Sequence, residues 1–305
     1  MAYTVRPIDA EEIDLFVSIP DGVPNVSLRD HIEAQWNSGE SKPEWCFVLE
    51  DETSYLGRAA FWGFDTKDLN LGAWYVDWDT DKIQDGVTLI EGCCEGLQQM
   101  GIRSAEARLF SDRTTQLEER NAILIAAGFT LVQDKKRFSL ELPVESVSTG
   151  EITLEQPSGP IVEIFQPLVE QAMLHSLDRA DRLDLGLDDS PIAAKSRIDL
   201  LLNIDPDFSG WLIARNADAE VVGFVITQRF NSTIGVINYI GVLPNFIGKH
   251  YSLDLLRGAV SHLTKTGYSG VIAETDVENL PMLRALSDCG FQERSATRVL
   301  IKWLN

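Results

Sequence analysis

Two Gly-Phe pairs, Gly128-Phe129 and Gly290-Phe291, stand 162 residues apart, and each closes a stretch of chain with the same order of patterns. A repeat this long is the duplication of a whole domain, not the short period of a solenoid. Each copy opens on a short strand, Tyr3–Arg6 in one and Ile152–Glu155 in the other. A helical segment follows, from Asp9 and from Phe165. A second helix comes next, with Ser27 predicted as one N-cap and Ser190, followed by Pro191, opening the other. Apolar runs between turn residues then predict antiparallel strands. They are Trp45–Glu50 with Tyr55–Gly63, and Trp211–Arg215 with Val221–Phe230. A third strand, Leu71–Asp77 or Ile234–Val242, leads into a long amphipathic helix, a further strand, a short helix and the Gly-Phe pair. The tails Arg137–Leu142 and Arg298–Trp303 are β-rich.

This order predicts an α/β protein of two tandem domains, each a central mixed, mostly antiparallel sheet flanked by helices. The Ser-, Gly-, Pro- and Glu-rich stretch from Leu142 to Pro160 reads as the junction, which gives domains over 1–145 and 150–305. At 305 residues and 44% hydrophobic content, each half is long enough to bury its own core. No segment reaches the apolar length of a membrane span, and the first residues do not read as a secretory leader, so a cytoplasmic location is expected. Cys46, Cys93, Cys94 and Cys289 have neither metal spacing nor a C-x-x-C pair, and free thiols in a reducing compartment follow. His31, His175 and His262 are scattered, and no metal site is expected. A formal charge of −21 opposes nucleic acid and anionic membranes and tolerates a cationic partner.

The segment richest in chemistry is NYIGVLPNFIGKHYSLDLL, residues 238–256. A strand ends at Val242, Pro244 stops pairing, and a helix begins near Gly248. Such a strand–loop–helix turn aims several free backbone N–H groups at one point, which favours an anion. Gly248 removes a Cβ where a phosphate must come close, and Lys249 adds a cation at the rim.

This segment resembles the acyl-CoA loop of the GNAT N-acyltransferase superfamily, in which a Val-x-Pro strand end leads to Arg/Gln-Gly-x-Gly-x-Gly/Ala. Val242 and Pro244 match the strand end and Gly248 the first glycine. Ile247 stands where Arg or Gln is usual, His250 at the second glycine and Ser252 at the third small position. The family's Asn-led helix ending in Gly-Phe is matched by Asn279 and Gly290-Phe291, with Leu286 in place of the usual acidic Tyr. The resemblance implies two tandem GNAT-like domains, with acetyl-CoA as co-substrate and an amine as acceptor. It implies CoA contacts from Val242, Ile247, Gly248, Lys249, His250, Tyr251, Ser252 and Asn279, with the thioester carbonyl against a backbone N–H near Val242. Tyr239, on the strand entering the loop, and Asp276, on the next strand beside Glu274, are the candidates for handling the acceptor's proton. A non-catalytic acyl-CoA sensor, or an interaction scaffold with the same fold, is the alternative.

The matching N-terminal segment, Tyr75–Glu91, has one glycine, Gly86, and aspartates at 77, 79, 81 and 85. These acids would repel CoA, and their spacing does not complete a calcium loop. Leu117 replaces the motif Asn. The first copy is therefore expected to be degenerate and to leave CoA to the second.

Overall fold

The structure, a computed structural model, describes residues 3–19, 22–63, 70–78, 83–143 and 150–304. The first half runs β1 (Thr4–Pro7), α1 (Ile13–Val17), α2 (Val26–Ser38), β2 (Cys46–Glu50), β3 (Tyr55–Trp62), β4 (Asn70–Trp78), α3 (Ile83–Gln99), β5 (Ser104–Phe110), α4 (Leu117–Ala126) and β6 (Thr130–Glu141). The second runs β7 (Thr153–Glu155), α5 (Ile161–Met173), α6 (Arg179–Leu187), α7 (Ser190–Ile204), β8 (Trp211–Arg215), β9 (Val221–Arg229), β10 (Ile234–Val242), α8 (Tyr251–Lys265), β11 (Gly270–Asp276), α9 (Leu280–Asp288) and β12 (Gln292–Trp303). Two compact units result, one of residues 1–132 with 298–305 and one of residues 133–297. Most of β6 thus belongs to the second unit, and the last part of β12 to the first.

In the first unit the strand order is β1-β2-β3-β4-β5, followed by the end of β12. Alternate side chains serve opposite faces, as the period of a strand requires. Phe47 and Leu49 pack with Leu89, Cys93 and Leu97 of α3, while Cys46 and Val48 pack with Phe16 of α1 and Ile32 of α2. In the second unit the order is β6-β11-β10-β9-β8-β7. Leu212, Val225 and Ile237 face Leu256 and Ala259 of α8 and Leu286 of α9. Trp211, Ile213, Phe224 and Ile226 face Phe165 and Val169 of α5 and Ile198 of α7.

The duplication extends to single bonds. Gly128 and Gly290 both take a left-handed backbone, with φ of 87° and 81°. Beyond them, Phe129 N donates to Leu124 O at 2.9 Å and Phe291 N to Leu286 O at 3.0 Å. These are the same helix stop made twice. A Cβ on Gly92 of α3 would lie 2.5 Å from Val5 of β1, and one on Gly258 of α8 would lie 2.4 Å from Leu154 of β7. The long helix of each unit therefore presses on its first strand at matching points. Asn70–Ala73 pairs in parallel with Ser104–Ala107, and Ile234–Ile237 with Gly270–Ala273.

Local starts differ from expectation. Asn25, not Ser27, caps α2, accepting from Leu28 N at 2.9 Å. Asp189 precedes α7, and Ser190 is its first helical residue, donating through Oγ to Glu170 Oε1 at 2.7 Å. Helix α5 begins at Ile161, ahead of Phe165. Helix α6 was not foreseen at all. Two of the aspartates discussed above, Asp79 and Asp81, lie outside the described residues.

Candidate active site

Strands β10 and β11 pair in parallel only as far as Ile237 and Ala273. There the register of β10 against β9 shifts, Ile237 opposing Thr227 and Tyr239 opposing Ile226, so Asn238 is the extra residue of a bulge. From Tyr239 to Val242 the strand keeps β9 on one edge, and among the described residues its pairing with β11 does not continue. The gap opens a cleft of about 600 Å³.

At one end of the cleft, β10 passes through a 3-10 turn at Pro244–Phe246 into α8. Gly248 has φ +82°, and a Cβ there would point into open space. His250, the N-cap of α8, also has a left-handed backbone (φ 65°) and makes no side-chain cap. Among the described residues, the backbone N–H groups of Gly248, His250, Tyr251 and Ser252 have no backbone partner in the turn. This is a cradle of unpaired donors at a helix start, and it suits a diphosphate. The ring of Tyr251 packs edge-on against Phe246, with centroids 5.9 Å apart, which braces the loop. Asn279 caps α9 by accepting from Met282 N at 3.3 Å, and it also faces the cleft.

Of the residues singled out from sequence, Tyr239, Val242, Ile247, Gly248, His250, Tyr251, Ser252 and Asn279 line this one cleft. Two do not. Lys249 Nζ sits 4.9 Å from the Phe246 ring centroid. Asp276 is 0% exposed, and its carboxylate is held by Arg179 at 3.2 Å and by Glu278 N at 2.9 Å. That anchoring ties the start of α6 to the end of β11 and keeps Asp276 from a ligand in the cleft. Glu274 lines the rim and pairs with Arg137 at 2.6 Å.

A buried acid that does reach the cleft is Asp181, on α6. It is 3% exposed, receives a hydrogen bond from Tyr239 Oη at 2.9 Å and lies 3.1 Å from Arg197. Burial raises its pKa, outweighing the pull of Arg197 and the hydrogen bonds it accepts. Burial, followed by the neighbouring Asp181 charge, holds the Tyr239 phenol well above its ordinary value. The Tyr239 ring stacks on Phe224 with centroids 5.5 Å apart, which fixes its aim. Sequence reasoning missed Asp181 because it missed α6. One signal was available: Asp178 is an N-cap whose side chain accepts from Ala180 N at 2.8 Å. Leu286, at the position of the usual Tyr, is buried on the cleft wall and offers no proton. Among the described residues, no group of three or more His, Cys, Asp or Glu is placed to hold a metal ion. No described helix is long and apolar enough to cross a membrane.

Comparison with known proteins agrees with this geometry. Residues 173–291 match the family model of the acetyltransferase (GNAT) family. A GCN5-related N-acetyltransferase from Sphaerobacter thermophilus superposes with a TM-score of 0.53 at 15% identity, covering 99% of this chain and 96% of that one. The GCN5-related glucosamine N-acetyltransferase region of a fungal multi-domain GH3 β-N-acetylglucosaminidase gives 0.54 at 12% identity, covering 99% of this chain and 38% of that one. A functionally unknown conserved protein from Staphylococcus epidermidis gives 0.52 at 10% identity, covering 80% and 90%. No curated protein matches the sequence. Residues 173–291, within the second unit, thus match the GNAT family, and the fold of the whole chain is that of solved GNAT-like proteins.

Proposed function

We propose that the second unit transfers an acyl group, acetyl in the simplest case, from acyl-CoA to an amine. The observation that carries this reading is the cleft between β10 and β11, closed at one end by the unpaired amides around Gly248. The CoA diphosphate would rest on the N–H groups of Gly248, His250, Tyr251 and Ser252, with Ile247 and Val242 flanking it and Asn279 facing the pantetheine arm. Lys249 has only a peripheral part, because its ammonium is turned to Phe246.

At the other end, Tyr239 and Asp181 handle the proton. An ammonium at Tyr239 Oη gives up one proton through the phenol to Asp181, whose raised pKa suits it to accept. The neutral amine attacks the thioester carbonyl. The C–N bond forms, the C–S bond breaks, and the nitrogen sheds its second proton to solvent. The thiolate takes up one proton from solvent, since Leu286 has none to give. Holding both substrates in one cleft supplies much of the acceleration. Four free cysteines, three of them buried, fit a reducing compartment. The test is a thiol-release assay with acetyl-CoA across a panel of amines. Amine-dependent release of CoA is expected. Tight CoA binding with no release for any amine would favour a sensor instead.

A further inference from the structure

The bulge in β10 does more than end a strand pairing. Successive strand residues normally point to opposite faces, and an extra residue breaks that alternation. Ile237 packs on the α8–α9 face and Tyr239 on the α5–α7 face. Asn238, between them, reaches Gln228, whose amide is bonded to α7. The consecutive residues Asn238 and Tyr239 therefore share the α5–α7 face, and both line the cleft.

Hydrogen-bond bookkeeping fixes what they present. Gln228 is 4% exposed. Its Nε2 donates to Leu201 O at 2.7 Å and to Asp205 O at 2.9 Å. Turned over, the amide would set its oxygen against two carbonyl oxygens, so its orientation is settled. Gln228 Oε1 then accepts, and Asn238 must offer Nδ2 to it, which it does at 2.5 Å. Asn238 Oδ1 is left to the cleft, with no partner among the described residues. Tyr239 commits its one hydroxyl proton to Asp181, so Oη also faces the cleft as an acceptor. Tyr239 is thereby reduced to an acceptor, and Asn238 turns its acceptor oxygen to the cleft while keeping one uncommitted Nδ2–H. Asp178, on the same wall, adds a carboxylate.

A group filling this corner must bring several donors. An alcohol has one, a secondary ammonium two and a primary ammonium three. We propose that Asn238 determines acceptor specificity and that the Asn238–Tyr239 pair selects a primary alkylammonium over secondary amines and alcohols. This rests on the acyl-transfer reading above.

The experiment compares butylamine, N-methylbutylamine and 1-butanol as acceptors for the full chain with saturating acetyl-CoA. The two amines carry the same charge and differ in N–H count. The parent protein should prefer butylamine at least about tenfold over both. Asn238→Leu should lower kcat/KM for butylamine about 10- to 100-fold and bring the ratio of the two amines near one. Calorimetric acetyl-CoA affinity should stay within about twofold of the parent. Asn238→Ala serves if the leucine variant does not fold. An amine ratio unchanged in both variants would overturn the proposal. So would weakened acetyl-CoA binding with the ratio intact, which would put Asn238 on the thioester arm. If the parent transfers to no amine, the acyl-transfer reading fails separately. Butylammonium binding to the CoA-loaded protein then decides: binding lost in Asn238→Leu upholds the assignment, and no binding in the parent overturns it.

Discussion

Tyr239 Oη donates to Asp181 Oδ2 at 2.9 Å across 58 residues of sequence, joining β10 to α6 at the wall of the cleft. Asp181→Asn keeps an acceptor for the tyrosine but removes the site that takes the proton. We expect kcat to fall about 100-fold with little change in acetyl-CoA affinity. Tyr239→Phe should lose about 10- to 100-fold, since it breaks the path without removing the acid. Steady-state kinetics with calorimetry separates the two quantities. A fall in acetyl-CoA affinity with kcat preserved would contradict the assignment.

The same carboxylate predicts a pH signature. Its folded pKa lies above the ordinary value of 3.8 because it is buried. In the window between that value and the raised one, the native state binds more protons than the unfolded chain. Its contribution to stability is therefore largest at low pH and declines as pH rises through the window. The acid limb of kcat/KM should lie above the ordinary carboxylate range. Asp181→Asn should remove both effects, as a pH–rate profile and pH-dependent melting would show.

Asp276 should matter for stability and not for turnover. Its carboxylate is fully buried against Arg179 and Glu278 N. Asp276→Ala should cost about 2–3 kcal/mol of stability, reduced from a fully buried pair because Arg179 remains partly exposed. Denaturant unfolding measures this. Parent-like stability with abolished turnover would instead make Asp276 a catalytic group.

Thiol reactivity tests the packing of the first unit. Burial pushes the Cys46 thiol up to about 12 and the Cys94 thiol to about 11, and raises Cys93 well above its ordinary value. Cys289 is only half-buried. A disulfide exchange reagent near pH 8 should modify Cys289 alone in the native protein and all four thiols after unfolding. Rapid native modification of Cys93 or Cys94 would mean that α3 is not packed as described.

Much of this architecture is legible in the sequence because it is written in local signals. Gly128-Phe129 and Gly290-Phe291 mark their helix stops by residue type, and Val242, Pro244 and Gly248 mark a strand end and a loop. Helix α6 is harder to see, since RADRLDLGL sets two aspartates, two arginines and a glycine in only nine residues. Asp276 looked available because its partner, Arg179, lies 97 residues away. Asn238 is illegible for a related reason. The face it occupies depends on a bulge, and a bulge is a property of register between strands that no single segment records.

The central claim is that one backbone cradle, around Gly248, holds one CoA per chain. Calorimetric titration of the full chain with acetyl-CoA tests it most directly, with Gly248→Glu and Lys249→Ala alongside. The backbone at Gly248 is left-handed, so a glutamate costs about 1 kcal/mol of stability and leaves the fold standing. Its side chain would enter the open space over the unpaired amides and repel the diphosphate. A stoichiometry near one is expected, with binding severely weakened by Gly248→Glu and nearly unchanged by Lys249→Ala. Two sites per chain, parent-like binding by Gly248→Glu, or greater damage from Lys249→Ala would contradict the account.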